Sequence, residues 1–400
     1  VSVGSKLAAL GLGFSAVSAI AAPSKDTDWS VPPYAGAYQP VGTDEKGLWA
    51  LDDEDERILR DSRLVIKDEA LNAYVKGVLC RTVGDARCRS IRLYILRVPV
   101  FNASMSPNGT MRVFSGLLLR VRNEAELASI LGHEFAHFEL RHSLAGFKRA
   151  RAGNDLLAWS ALLGATAARF GAANGQNYQD LQISVLGTLY HFKRDDERAS
   201  DRLGFAYMAS AGYRSSAAAD VWRGMMNETD RSAEARGRPL QRYDGQAYFA
   251  SHPTNLERAD VLSLMANRVP GGEVDNTEAY GAALAPWLGE FLADQLAQGD
   301  FGATDYLIER LAGNRWTADL LFAKAENFRN RANPRDLVTA AELYRQTLAK
   351  DPGKIEAYRG LGLSLLRSGE LTAGKEAIKT YLKGNPEAPD AAILGTMIID

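Results

Sequence analysis

The sequence predicts an α+β chain: a mostly helical domain carrying a small β-sheet, then an all-α domain of helical-hairpin repeats. Three observations predict it. Short strand-like runs fall only around residues 90–115, with helical periodicity on either side. Three of the five histidines lie between His133 and His142, in one capped amphipathic segment. Near the C-terminal end Asp351-Pro352 and Asn385-Pro386 lie 34 residues apart, a repeat spacing.

Composition sets the outer bounds. A chain of 400 residues is longer than one hydrophobic core usually organises, and at roughly 100–200 residues per domain it holds two or three. Hydrophobic residues at 46% and charged residues at 24% exclude bulk disorder. Lys+Arg 47 against Asp+Glu 49 leaves a net charge of -2, so a nucleic-acid partner is not expected.

The elements follow in order. Lys6 precedes an uncharged run from Leu7 to Ala22, and Ser18-Ala19-Ile20-Ala21 places small residues for a cut after Ala21. Residues 1–21 therefore read as a secretory signal peptide. The run is shorter than the roughly 20 residues a span needs, so no integral membrane segment is expected in the mature chain. In an oxidising compartment Cys80 and Cys88 can pair, closing a short loop that contributes at most ~2–3 kcal/mol. Residues 22–50, with Pro23, Pro32, Pro33 and Pro40, read as an extended leader. From about Leu51 to Cys80 a single charged, helical pattern runs. Residues 90–100 read as a strand, Asn108-Gly109 as a hairpin turn, and Met111 to Phe114 as a second strand facing the region around Phe101. Asn123 with Glu126 forms a capping signal for a helix running to about Ser143. Residues 156–168 are uncharged and fit a buried helix, or a surface facing a channel, partner or membrane.

In the tail, Tyr344 aligns with Ile378, Leu348 with Leu382 and Leu337 with Leu371 at the spacing of 34. Gly360-Leu361-Gly362 stands where the first helix of a repeat needs small residues. The pattern resembles the tetratricopeptide repeat, with one full repeat at roughly 353–386. Such stacked pairs leave a concave face suited to a polypeptide partner. Helical segments at about 284–298, 303–312 and 316–329 precede it.

The chemistry sits in His133-Glu134-Phe135-Ala136-His137. On a helix, positions four apart share a face, so two imidazoles address one ion and Glu134 reaches a water beside it. This is the zincin-type metalloprotease arrangement, with Zn2+ as the expected cofactor. A catalytic site needs a third protein ligand. In an unbroken helix His142 stands about 140° from the metal face, so it is a weak ligand that caps, packs or lies nearby. The cluster Lys193-Arg194-Asp195-Asp196-Glu197-Arg198 offers three carboxylates, and the residues alone leave Glu197, Asp196 and Asp195 open. Asp201, four beyond Glu197, can accept from the outer nitrogen of a ligating histidine.

The chain resembles the peptidase family of the CAAX prenyl proteases and HtpX, and within it the soluble periplasmic branch with a tetratricopeptide tail, the BepA-like proteins. The carrying segments are Asn102-Ala103-Ser104, Pro107-Asn108-Gly109, Val113 to Leu117, Glu124 to Leu131 and the histidine motif with His142-Ser143. Glu197-Arg198-Ala199-Ser200-Asp201 matches the family's Glu-x-x-Ala-Asp, with Ser200 in place of the usual Ala. His191-Phe192-Lys193-Arg194 departs from the family's pattern. The resemblance implies Glu197 as third ligand, Asp201 behind a histidine, and His252 of Ser251-His252-Pro253-Thr254 as a plug at the metal or a transition-state contact. Arg258 then binds a substrate carboxylate or braces the loop, and Tyr248 is a further oxyanion candidate. The strand at 110–115 is read as an edge for substrate addition, with Asn102, Thr110, Met111, Arg112 and Val113 as substrate-binding residues.

The expected organisation is a signal peptide at 1–21, a leader at 22–50, a zinc peptidase domain at 51–270 and a repeat domain at 271–400. The expected activity is a zinc endopeptidase with Glu134 as general base. It acts on unfolded or misassembled polypeptides, with outer-membrane or envelope clients held by the repeat face, in the periplasm and peripheral to the outer membrane. The alternative is an assembly chaperone whose hydrolysis is latent or secondary.

Overall fold

The computed structural model describes residues 30–152, 193–243, 254–269 and 272–399. The chain divides into Val1–Ser30 and Val31–Asp400, and the second unit is the one described. Residues 1–21, expected as a signal peptide, the 156–168 stretch, His191, Tyr248 and His252 lie outside the described residues.

The leader is not extended throughout: helix α1 spans Gly42–Asp61. Its buried face comprises Glu45, Leu48, Asp52, Glu56 and Leu59. Three of those five are acidic, which hides the face from a count of apolar residues. Glu56 satisfies its burial by accepting from Arg92 Nε and Nη2 at 2.6 Å each, Tyr94 at 2.7 Å and Thr110 at 2.9 Å. The helical pattern expected over 51–80 is also two helices. The second, α2 (Glu69–Val83), starts where the Asp68 carboxylate accepts from the Leu71 amide. A short α3 (Asp85–Cys88) follows, tied back by the Cys80–Cys88 disulfide with Cα atoms 4.9 Å apart.

The sheet has three strands, β1 (Arg92–Leu96), β2 (Ala103–Met105) and β3 (Thr110–Phe114), in the order β1-β3-β2. The Asn108-Gly109 turn, with Gly109 at φ 88°, joins β2 to β3 as an antiparallel hairpin. β1 pairs with β3 in parallel, Arg92 opposite Thr110 and Leu96 opposite Phe114. β3 is therefore the central strand and its main chain is engaged on both sides. Thr110, Met111, Arg112 and Val113 are buried, which removes them as an edge for substrate. β2 is an outer strand whose other side is not paired by any described strand, and its three residues are buried as well.

Helix α4 (Ser115–Arg120) leads into the histidine helix α5 (Glu124–Glu139). Asn123 Oδ1 accepts from the Glu126 amide at 2.8 Å, while the Glu126 carboxylate closes back on the Arg122 amide at 2.9 Å. The helix stops at Glu139, short of the expected Ser143, because Arg141 takes a left-handed φ of 57°. A new helix, α6 (His142–Ala152), begins there. The next two described stretches hold α7 (Arg194–Ser210), α8 (Ala217–Ala235) and α9 (Asn255–Arg268).

The remainder is helical: α10 (Thr277–Leu296), α11 (Phe301–Ala312), α12 (Ala318–Arg331), α13 (Pro334–Lys350), α14 (Ile355–Ser368), α15 (Leu371–Gly384) and α16 (Ala391–Met397). Successive helices from α12 to α15 pack on one another as tetratricopeptide-like pairs. Tyr344 and Ile378 are both fully buried, but Leu337 is buried while Leu371 is exposed, so the repeat is inexact. A β-carbon on Gly360 would stand 2.2 Å from the Tyr344 ring, which fixes the small residue there. Among the described residues no helix is long and apolar enough to cross a membrane.

Candidate metal centre

Helices α5 and α7 cross at two glycines. A β-carbon on Gly132 would lie 3.0 Å from the Gly204 carbonyl oxygen, so the two backbones touch. That approach sets His133 and His137 of α5 against Glu197 of α7. His133 Nε2 lies 3.0 Å from His137 Nε2 and 3.5 Å from Glu197 Oε2, and His137 Nε2 lies 3.6 Å from Glu197 Oε1. All three side chains are buried, and one donor atom from each lies within 4.8 Å of the others. Two imidazoles and one carboxylate are a donor set suited to a borderline cation such as zinc.

The surroundings push the two imidazoles in opposite directions. Burial and the Arg258 charge both oppose an imidazolium at His133, but Asp201 and Glu197 outweigh them and raise its pKa to about 9. Burial, and then His133, hold His137 well below its ordinary value.

The surroundings orient the donors. Asp201 Oδ1 stands 2.9 Å from His133 Nδ1. Burial alone would raise the Asp201 pKa, but Arg258 and His133 keep it below the ordinary value. Arg258, buried itself, donates to Asp201 from Nε at 3.0 Å and from Nη2. Its guanidinium carbon lies 3.7 Å over the Trp222 ring, which Phe101 meets edge-on. Of the two roles expected for Arg258, the position is that of a brace. Asp196 is turned away from the three donors, accepting from the Lys193 amide at 3.0 Å and Arg149 at 2.8 Å. Asp195 is exposed and pairs with Arg198 at 3.3 Å. Glu134 is half-buried beside the ligands on α5.

Sequence reasoning missed Trp222, which has no motif, and underrated His142. The latter sits 3.0 Å from His137 through the two Nδ1 atoms, because the helix break returns it to the site. Asn102 keeps a place at the sheet, its carbonyl accepting from the Phe114 amide at 3.1 Å.

A histidine helix crossed by a second helix that adds a carboxylate, all on a small mixed sheet, defines a metallopeptidase-type centre. Residues 69–266 match the model of Peptidase family M48. A candidate beta-barrel assembly-enhancing protease of Vibrio cholerae is 31% identical over 170 residues, 40% of this chain and 34% of that protein. The mitochondrial metalloendopeptidase OMA1 of Arabidopsis thaliana is 25% identical over 221 residues, 54% of this chain and 38% of that protein. The beta-barrel assembly-enhancing protease of Yersinia pestis is 24% identical over 306 residues, 75% of this chain and 59% of that protein. The chain thus spans between 34% and 59% of the length of these relatives.

Proposed function

We propose that the chain is a zinc-dependent endopeptidase acting on misfolded or stalled cell-envelope proteins. The observation that carries this is the buried His133–His137–Glu197 cluster with Glu134 beside it. His133, His137 and Glu197 would hold the ion. Zinc, when bound, supplies the Lewis acidity that polarises a scissile carbonyl and acidifies water. Glu134 takes the proton of the attacking water on its carboxylate and passes it to the leaving amine nitrogen. A structural metal site has no use for a carboxylate at that position. Asp201 accepts the His133 Nδ1–H and fixes the ring, and Arg258 fixes Asp201. His252 is the proposed plug or oxyanion contact.

The proposal of outer-membrane clients and a periplasmic location is supported by the names of the beta-barrel assembly-enhancing relatives and by the signal-like pattern of residues 1–21. A second reading, an assembly chaperone with latent hydrolysis, is favoured by the helical pairs α12–α15. Purified protein and its Glu134→Gln variant, each assayed for zinc and for digestion of a misfolded outer-membrane protein, separate the readings. Zinc in both with cutting only in the parent supports the peptidase. Cutting in neither, with aggregation suppressed by both, supports the chaperone.

A further inference from the structure

His142 is the feature that the proposed chemistry does not use. Helix α5 closes at Leu140, whose amide donates to the Ala136 carbonyl at 2.9 Å. Arg141 then turns left-handed, a conformation that costs any residue with a β-carbon. The turn matters to the metal site. Were the helix unbroken, position 142 would stand about 140° around it from His137. With the break, the buried His142 ring meets His137 edge-on, Nδ1 to Nδ1 at 3.0 Å.

The left-handed Arg141 is held from outside its own helices. Its guanidinium carbon sits 4.2 Å over the Tyr38 ring. Its Nη1 lies 3.8 Å from Glu45, a carboxylate 1% exposed in the first turn of α1. Tyr38 is in turn packed on Phe138 at 5.3 Å and Trp49 at 5.6 Å. The segment 30–41 thus crosses the back of the histidine helix and clasps its break.

We infer that this clasp, Tyr38 and Glu45 acting through Arg141, sets His142 as the positioning residue for the metal ligand His137. His137 presents Nε2 to the other two donors, so its hydrogen is on Nδ1, and His142 Nδ1 accepts it. The second nitrogen of His142 faces Asp196 at 3.9 Å, and Ser200 Oγ closes on Nδ1 at 3.2 Å. His133 is thereby oriented by a carboxylate and His137 by a neutral imidazole. Partners of this kind tune metal affinity by about 10–100-fold. The inference rests on the zinc reading.

The test uses the full chain, with zinc affinity measured by chelator competition and the visible spectrum of the cobalt-substituted protein as second readout. His142→Ala should weaken zinc at least tenfold and shift the cobalt bands, while His142→Asn, which restores an acceptor, should recover part of both. Tyr38→Ala should move both readouts the same way, and Tyr38→Phe, which keeps the ring under Arg141, should move neither. A change below tenfold in His142→Ala, with unshifted cobalt bands, overturns the role of His142 and leaves the zinc reading standing. Loss in His142→Ala without loss in Tyr38→Ala overturns the clasp. If His142→Ala does not fold, failure of Tyr38→Ala to differ from Tyr38→Phe overturns the inference. A parent that binds no zinc overturns the underlying reading itself.

Discussion

Gly204 lies so close to His133 that a β-carbon on the glycine would stand 2.6 Å from the histidine's backbone nitrogen. The ligand helices therefore meet backbone to backbone, and Glu197, Asp201 and Gly204 share the face of α7 that does so. Gly204→Ala forces the helices apart or bends them. Overpacking of this kind costs about 1–3 kcal/mol, and the separation should reach Glu197 and lower zinc content as well. Thermal melting and zinc stoichiometry check both effects. A variant with the parent's melting temperature and full zinc would show that the crossing has slack.

Glu134 and Glu197 are both carboxylates at the centre, but their variants should fail differently. Glu134 is half-buried and outside the three-donor cluster, so Glu134→Gln should keep zinc and lower turnover by about 100-fold or more. Glu197→Ala removes a donor and should empty the site. Metal analysis beside a peptidase assay decides. Full zinc in Glu197→Ala would put the third ligand elsewhere, and unchanged cleavage in Glu134→Gln would remove the general base.

Arg258 reads from sequence as either a substrate contact or a brace, and its burial against Asp201 and Trp222 favours the brace. Arg258→Ala should weaken zinc by about 10–100-fold by loosening Asp201 behind His133. Arg258→Lys should not rescue it, since an ammonium cannot reproduce a planar fork stacked on an indole. KM for peptides with and without a free C-terminal carboxylate gives the contrary outcome: a selective rise for the free carboxylate would make Arg258 a substrate residue.

The local signals in the chain were the readable ones. The His133–His137 spacing, the Asn123 cap and the Asn108-Gly109 turn each depend on a few adjacent residues, and each lies where its chemistry requires. What sequence reading missed depends on distant partners. Glu56 lies on the buried α1 face because Arg92, Tyr94 and Thr110 wait across from it, and with Glu45 and Asp52 on the same face no apolar stripe announces it. β3 is central because a parallel partner, β1, arrives from before the hairpin, and nothing in five residues says which side is covered. The break at Arg141 carries no glycine, and its cause is an aromatic ring about a hundred residues upstream along the chain. Choosing Glu197 among three neighbouring carboxylates needed the resemblance, because which face of α7 turns inward is decided by Gly132 on another helix.

Glu56 gives a prediction in acid. Burial pushes its carboxyl upward, but the hydrogen bonds from Arg92, Tyr94 and Thr110 outweigh it and bring the pKa down from 4.5 to about 2. A folded-state value below the unfolded one means that the ionised form stabilises the fold. That contribution is complete above the unfolded value of 4.5 and is lost as pH falls through about 2. Glu56→Gln removes the charge while keeping the shape, and at neutral pH should cost about 1–3 kcal/mol, the range for removing a charged hydrogen-bond partner. Denaturant unfolding of parent and variant at neutral pH and near pH 3 tests the sign. Metal loss in acid affects both proteins, so the difference between them isolates Glu56. The gap should narrow as pH falls, and a gap that stays constant or widens would mean that the network across α1 and the sheet does not depend on the ionised carboxylate.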